Sequence, residues 1–144
     1  MNVFIRTCLA FLFTVISQFN SSLEKSFLQN DPSLLQDLMP LTSPMLITLP
    51  EPLKVSDCFS RDQSFLIMKK IFQQTTTMEF FIDQESQVVF GQKGAIVQAR
   101  WSFIHRTDGR KHFFRLYFYL YPEKPPFKSQ RASLKIREIR AERR

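Results

Sequence analysis

Residues Ala95 to Tyr121 hold two long runs of alternating side chains that turn back on each other at Thr107-Asp108-Gly109-Arg110. Asp-Gly between alternating runs is a strong hairpin signal, because glycine takes the positive φ that such a turn needs. In the first run Ala95, Val97, Ala99, Trp101 and Phe103 fall on one side, and Gln98, Arg100, Ser102 and Arg106 mostly on the other. In the second run Phe114, Leu116, Phe118 and Leu120 oppose Phe113, Arg115, Tyr117, Tyr119 and Tyr121. Successive side chains of a strand point to opposite faces. The hairpin therefore has one dry face and one basic, aromatic face, and the fold must cover the dry one.

Length and composition fit that requirement. A chain of 144 residues makes one domain with a core that needs no staples. At 44% hydrophobic content with 16 Phe, the body of the chain is not disordered. The three glycines, Gly91, Gly94 and Gly109, lack the spacing of a phosphate-cradling loop. The formal charge of +7 is unevenly spread: six Lys/Arg stand against nine Asp/Glu over residues 18–98, and thirteen against four over 99–144. Such a balance suits an acidic partner, an anionic surface or nucleic acid, or simply a solvated sheet face with a basic tail.

The N-terminus reads as an export signal. Arg6 is the single charge of a short leading segment, and Thr7 to Ile16 is an apolar stretch. Its length suits a signal sequence and falls well short of the ~20 residues a helix needs to cross a bilayer. Val15-Ile16-Ser17 places permitted residues for cleavage after Ser17, so residues 1–17 are expected to leave and residues 18–140 to form the domain. The mature chain then has no membrane span and is periplasmic or secreted; uncleaved, the N-terminus would anchor it to a membrane. Cys58 would be the one remaining cysteine, which excludes an internal disulfide and a cysteine zinc site, and it is expected to be a quiet, partly buried thiol.

Further along, Leu23, Phe27, Leu34, Leu35 and Leu38 recur near helical spacing over residues 18–38. Asn30-Asp31-Pro32 interrupts them, with Asp31 suited to cap a new turn and Pro32 to its first position. Met45 to Leu49 reads as a short strand. Ser60-Arg61-Asp62-Gln63 matches a capping box, and Phe65, Met68, Ile71 and Phe72 form the apolar stripe of the helix it opens, which should stop near Gln73. Strands are expected over Thr77–Ile82, Ser86–Phe90 and about Arg131–Arg140, with 141–144 a frayed basic tail. Helices first and strands afterwards give an α+β fold: two or three N-terminal helices on a strongly curved antiparallel sheet of four to five strands.

This order, with Asp31-Pro32-Ser33-Leu34-Leu35, Leu46-Ile47-Thr48-Leu49-Pro50 and Phe59-Ser60-Arg61-Asp62-Gln63, resembles the nuclear transport factor 2-like superfamily, a cone-shaped α+β fold also called cystatin-like. Met78-Glu79-Phe80, Ala95-Ile96-Val97-Gln98-Ala99, Phe114-Arg115-Leu116-Tyr117 and Leu134-Lys135-Ile136-Arg137 through Arg140 extend the likeness. Within it the chain is most similar to small exported bacterial proteins known as domain of unknown function 4783. The resemblance implies a cone whose mouth holds an Asp–His or Asp–Arg–Tyr group in enzymatic members, and an open sheet face that is a common dimer surface. The inward positions here are apolar, from Ala95 through Leu120 to Leu134 and Ile136, so no catalytic residue carries over.

Two candidate surfaces remain. If the cone is open, Trp101, Phe103, Leu116 and Phe118 would line an apolar pocket for a small ligand, and the chain would then be a ligand carrier or an enzyme. On the other face Arg100, Arg115, Tyr117, Tyr119, Lys135 and Arg137 fall on neighbouring strands, the Tyr and Arg composition of protein interfaces. A second copy or another protein partner is expected there, since an exported protein rarely meets nucleic acid. His105 and His112 flank the hairpin tip among Arg106, Arg110 and Lys111, where a solvated hairpin end is expected and a bound cation is disfavoured. No cofactor and no metal is called for.

Overall fold

The computed structural model describes residues 2–83, 94–124 and 133–144. Its elements run α1 (Asn2–Leu28), α2 (Pro32–Gln36), β1 (Met45–Leu49), β2 (Val55–Phe59), α3 (Arg61–Gln74), β3 (Thr75–Ile82), β4 (Ala95–His105), β5 (Lys111–Glu123) and β6 (Ser133–Arg143). The expected strand at Ser86–Phe90 lies outside the described residues.

Local chemistry sets the helix starts. Asp31 accepts from the Ser33 N–H at 2.9 Å with Pro32 at the first helical position. Ser60 accepts from the Gln63 N–H at 3.3 Å while Gln63 accepts from the Ser60 N–H at 3.0 Å, the reciprocal capping box. Asn30 stands at φ 49, a left-handed conformation that asparagine tolerates. Its Nδ2 donates to Phe72 O at 3.1 Å and Thr75 O at 2.7 Å, tying the α1–α2 turn to the end of α3. Asn30→Ala removes both bonds, each worth about 1 kcal/mol, and puts a less tolerant residue at that φ. A loss of about 2 kcal/mol is expected by urea unfolding; a loss below about 0.5 kcal/mol would show that the α3 terminus is satisfied without it.

The strands form one sheet in the order β2-β1-β6-β5-β4-β3. It exceeds the expected four to five strands because β2, an exposed edge segment, belongs to it. It is also not wholly antiparallel, since β1 runs parallel to β6. The hairpin has its expected register, with Trp101 opposite Phe114 and Val97 opposite Phe118. Between β5 and β6 the register shifts: Tyr119 faces Glu138 and Leu120 faces Ile136, so Arg137 is the extra, bulged residue. The bulge returns Ile139 and Ala141 to the buried side. Ala141 pairs with Leu116 and Arg143 with Phe114, so the strand runs through the tail expected to fray.

The alternating apolar face is the core. Phe19, Leu23 and Phe27 of α1 and Met68, Ile71 and Phe72 of α3 pack onto it.

Candidate functional site

The pocket expected around Trp101 is the interior of the core. Trp101, Phe103, Leu116 and Phe118 are each 0–2% exposed. The Phe27 ring stacks on Phe80 with centroids 4.5 Å apart and meets Trp101 edge-on at 5.1 Å and Phe118 at 6.0 Å. Trp101 also packs against Phe103 at 4.2 Å, and its indole N–H donates to Thr77 Oγ1 at 2.9 Å. The walls stand where the alternation places them, but Phe27 occupies the space between them.

The outer face is built from rows of cross-strand neighbours. Pairing across β3, β4, β5 and β6 sets Phe81, Arg100, Arg115 and Glu142 in one row. Beside it run Glu79, Ser102 and Phe113. On the other side Gln98, Tyr117, Arg140, Thr48 and Ser56 cross the sheet to β2. The next row is Ile96, Tyr119, Glu138, Leu46 and Cys58. Phe81, Met78 and Phe113 are 60%, 49% and 49% exposed, a large apolar outlay for one face. Lys111 holds its ammonium 5.1 Å above the Phe113 ring. Arg100 and Arg115 are direct partners, and like charges placed opposite each other destabilise a sheet. Tyr117 donates to Glu142 at a long 3.4 Å.

Of the expected surface residues, the structure gathers Arg100, Arg115 and Tyr117 in this patch. Tyr119 and Arg137 line an adjoining shallow cavity of about 520 Å³ with Leu46, Cys58 and Gly94. Cys58, expected to be partly buried, is exposed, because the edge strand β2 has no covering neighbour. Lys135 leaves the group. Its ammonium donates to Asp37 O at 2.5 Å, and burial, reinforced by the Arg61 charge, lowers its pKa. It is one of several tethers on the α2–β1 connection: Arg61 donates to Met39 O at 3.0 Å, and the Glu123 carboxylate accepts the Leu41 N–H at 3.0 Å. Sequence reasoning left Phe81 out of the site, although it is the outward neighbour of buried Phe80 in a period-two run.

His105 is a correction. It is 9% exposed rather than solvated, because it continues the inward series of Phe103. His112 Nε2 lies 3.1 Å from Asp108 Oδ2. The Asp108 carboxyl titrates below the usual range, chiefly through the Arg110 backbone N–H at 2.7 Å, with His112 adding to it.

No family model and no curated protein matches the chain. Solved structures do. A ketosteroid isomerase-like protein from Erwinia carotovora atroseptica superposes with a TM-score of 0.64 at 11% identity, over 90% of this chain and 94% of that one. A nuclear transport factor 2-like protein of unknown function in nutrient uptake from Rhodospirillum rubrum gives 0.61 at 11% identity, over 90% and 98%. A conserved protein from Planctomyces limnophilus gives 0.60 at 11%, over 91% and 96%. The fold is thus the nuclear transport factor 2-like cone, as the sequence patterns indicate. The narrower resemblance to domain of unknown function 4783 rests on those patterns alone.

Proposed function

We propose that this chain is a small exported binding domain that works through its outer sheet face, pairing there with a second copy of itself. The observation that carries the reading is the patch of exposed Phe81, Phe113 and Met78 around the opposed guanidinium groups of Arg100 and Arg115. Aromatic and arginine side chains at the centre of a patch dominate interface energies. Glu79 and Glu142 are exposed on the same face, so a two-fold partner offers carboxylates to the arginines. That interleaving of acid and base also argues against a nucleic-acid surface. Export is supported by α1. Val3, Phe4 and Ile5 are exposed, and among the described side chains of the helix the first buried one is Phe19, just past the expected cut at Ser17. Among the described residues no helix is long and apolar enough to cross a membrane.

Light scattering on residues 18–144 at low and high salt tests this. A dimer is expected at both, because the anchors are apolar. Phe81→Glu with Phe113→Glu should weaken it by at least ~30-fold, the ratio for one interface anchor of about 2 kcal/mol, and leave the melting of the monomer unchanged. A monomer at both salts would sink the self-pairing.

A further inference from the structure

The β4–β5 turn gathers three metal-ligating side chains around one oxygen. His105 ends β4, His112 stands at the start of β5, and Asp108 sits in the turn between them. Asp108 Oδ2 lies 3.1 Å from His112 Nε2 and 3.8 Å from His105 Nδ1. We propose that these three groups bind one transition-metal cation, zinc above all, with a further coordination position open to solvent. The claim goes beyond the sheet-face reading and does not depend on it.

Four observations carry it. First, His105 Nδ1 is buried without a hydrogen bond, and the carboxylate oxygen it faces is too distant to supply one. A buried polar atom left unpaired is costly. A cation between nitrogen and oxygen removes the cost by bonding both. Second, the spacings suit an ion. Nitrogen and oxygen ligands of a tetrahedral zinc stand about 3.4 Å apart, and the two measured distances fall on either side of that. The imidazole rings meet at 87° with centroids 6.2 Å apart. As the side chains stand, no three His, Cys, Asp or Glu groups among the described residues enclose an ion. Rings on one tetrahedral zinc would have centroids about 5 Å apart, so this site closes with about 1 Å of side-chain movement. Third, the donors are aimed before any ion arrives. Asp108 Oδ1 accepts the Arg110 N–H at 2.7 Å, which leaves Oδ2 for the two rings. Phe103 stacks on the His112 ring with centroids 5.5 Å apart. Asp108 itself is exposed, so an ion reaches the site from solvent. Fourth, the cations that disfavour a metal in the sequence oppose it weakly in space. The Lys111 ammonium lies over the Phe113 ring, and Arg106 and Arg110 are exposed, where salt screens them. Two imidazoles with one carboxylate suit zinc and its neighbours, whereas magnesium and calcium prefer oxygen alone. Binding uses both rings neutral, with the His105 proton on Nε2 and the His112 proton on Nδ1.

The test is calorimetric titration of the full chain with zinc chloride and with magnesium chloride. A variant with Cys8→Ser and Cys58→Ser is titrated beside it, because thiols are the competing ligands. Zinc is expected to bind both forms at one equivalent and to raise the thermal midpoint by mass action; magnesium is expected to do neither. The chain has two histidines, His105 and His112, so imidazole nitrogen shifts in NMR spectra report this site directly, and zinc should move both rings. Asp108→Asn keeps an oxygen for the Arg110 N–H and should weaken zinc at least about tenfold while leaving the metal-free thermal midpoint in place. His112→Gln should weaken zinc as much. No zinc binding, binding that disappears with the cysteines, magnesium binding as tight as zinc, or full zinc affinity in Asp108→Asn and His112→Gln would each overturn the proposal.

Discussion

Phe27→Ala is expected to cost the fold about 3–5 kcal/mol, the range for deleting a buried aromatic ring from a packed core. One side chain of α1 touches three strands and a helix here: Phe80 of β3, Trp101 of β4, Phe118 of β5 and Phe72 of α3, the last edge-on at 5.2 Å. Ring pairs of this geometry add about 0.5–1.5 kcal/mol each beyond the area they bury. The partners cannot close over the gap together, because they are anchored in different elements. With total stabilities of about 5–15 kcal/mol for such domains, the variant should lose a third or more of its margin. Urea unfolding at constant m-value measures it. The consequence for function is direct, since Phe27 separates a filled cone from a hollow one. A loss under about 1.5 kcal/mol would mean that the core refills and that Phe27 is not the plug.

The contrast between walls and plug marks what the sequence reveals. The walls were legible: period-two alternation from Ala95 to Phe103 and Phe114 to Leu120 names the buried face residue by residue. The capping box at Ser60 and the turn at Asn30-Asp31-Pro32 were legible because their chemistry is local. Phe27 as the filler was not, because nothing in a helical stripe says how deeply one of its side chains enters a sheet formed fifty or more residues later. Strand β2 escaped notice for a related reason. Ser56, Asp57 and Cys58 are all exposed on an edge, so no burial pattern exists to be read. The parallel pairing of β1 with β6 depends on the sheet curling until distant segments meet. Lys135 was placed on the outer face by alternation, and the α2–β1 connection recruited it instead. His105 was hidden by its charged neighbours, although the alternation that named Phe103 extends two residues further to reach it.

Gly94→Ala should be the most damaging single-methyl change in the described residues. Gly94 stands at φ +118 where β4 begins, and a Cβ built there would lie 1.7 Å from Leu120 O and 2.8 Å from Leu120 C. Neither obstacle is the end of a flexible side chain. Leu120 is held from both sides, opposite Ala95 on β4 and opposite Ile136 on β6 at the register shift. Relief therefore requires separating the strands or moving the bulge, and a loss above about 3 kcal/mol is expected, among the larger effects of point substitutions. Gly109→Ala is the control. Gly109 also has positive φ, at +68, but nothing lies within 4 Å of its added Cβ. It should lose only the conformational term, about 1–2 kcal/mol. Urea unfolding of the two variants side by side separates collision from conformation. Equal losses would show that the Leu120 backbone yields, and that the shallow outer cavity lined by Gly94, Tyr119 and Arg137 can reshape around a partner. A much larger loss at Gly94 would make that end of the outer face a rigid template, to which a second copy must fit as it stands.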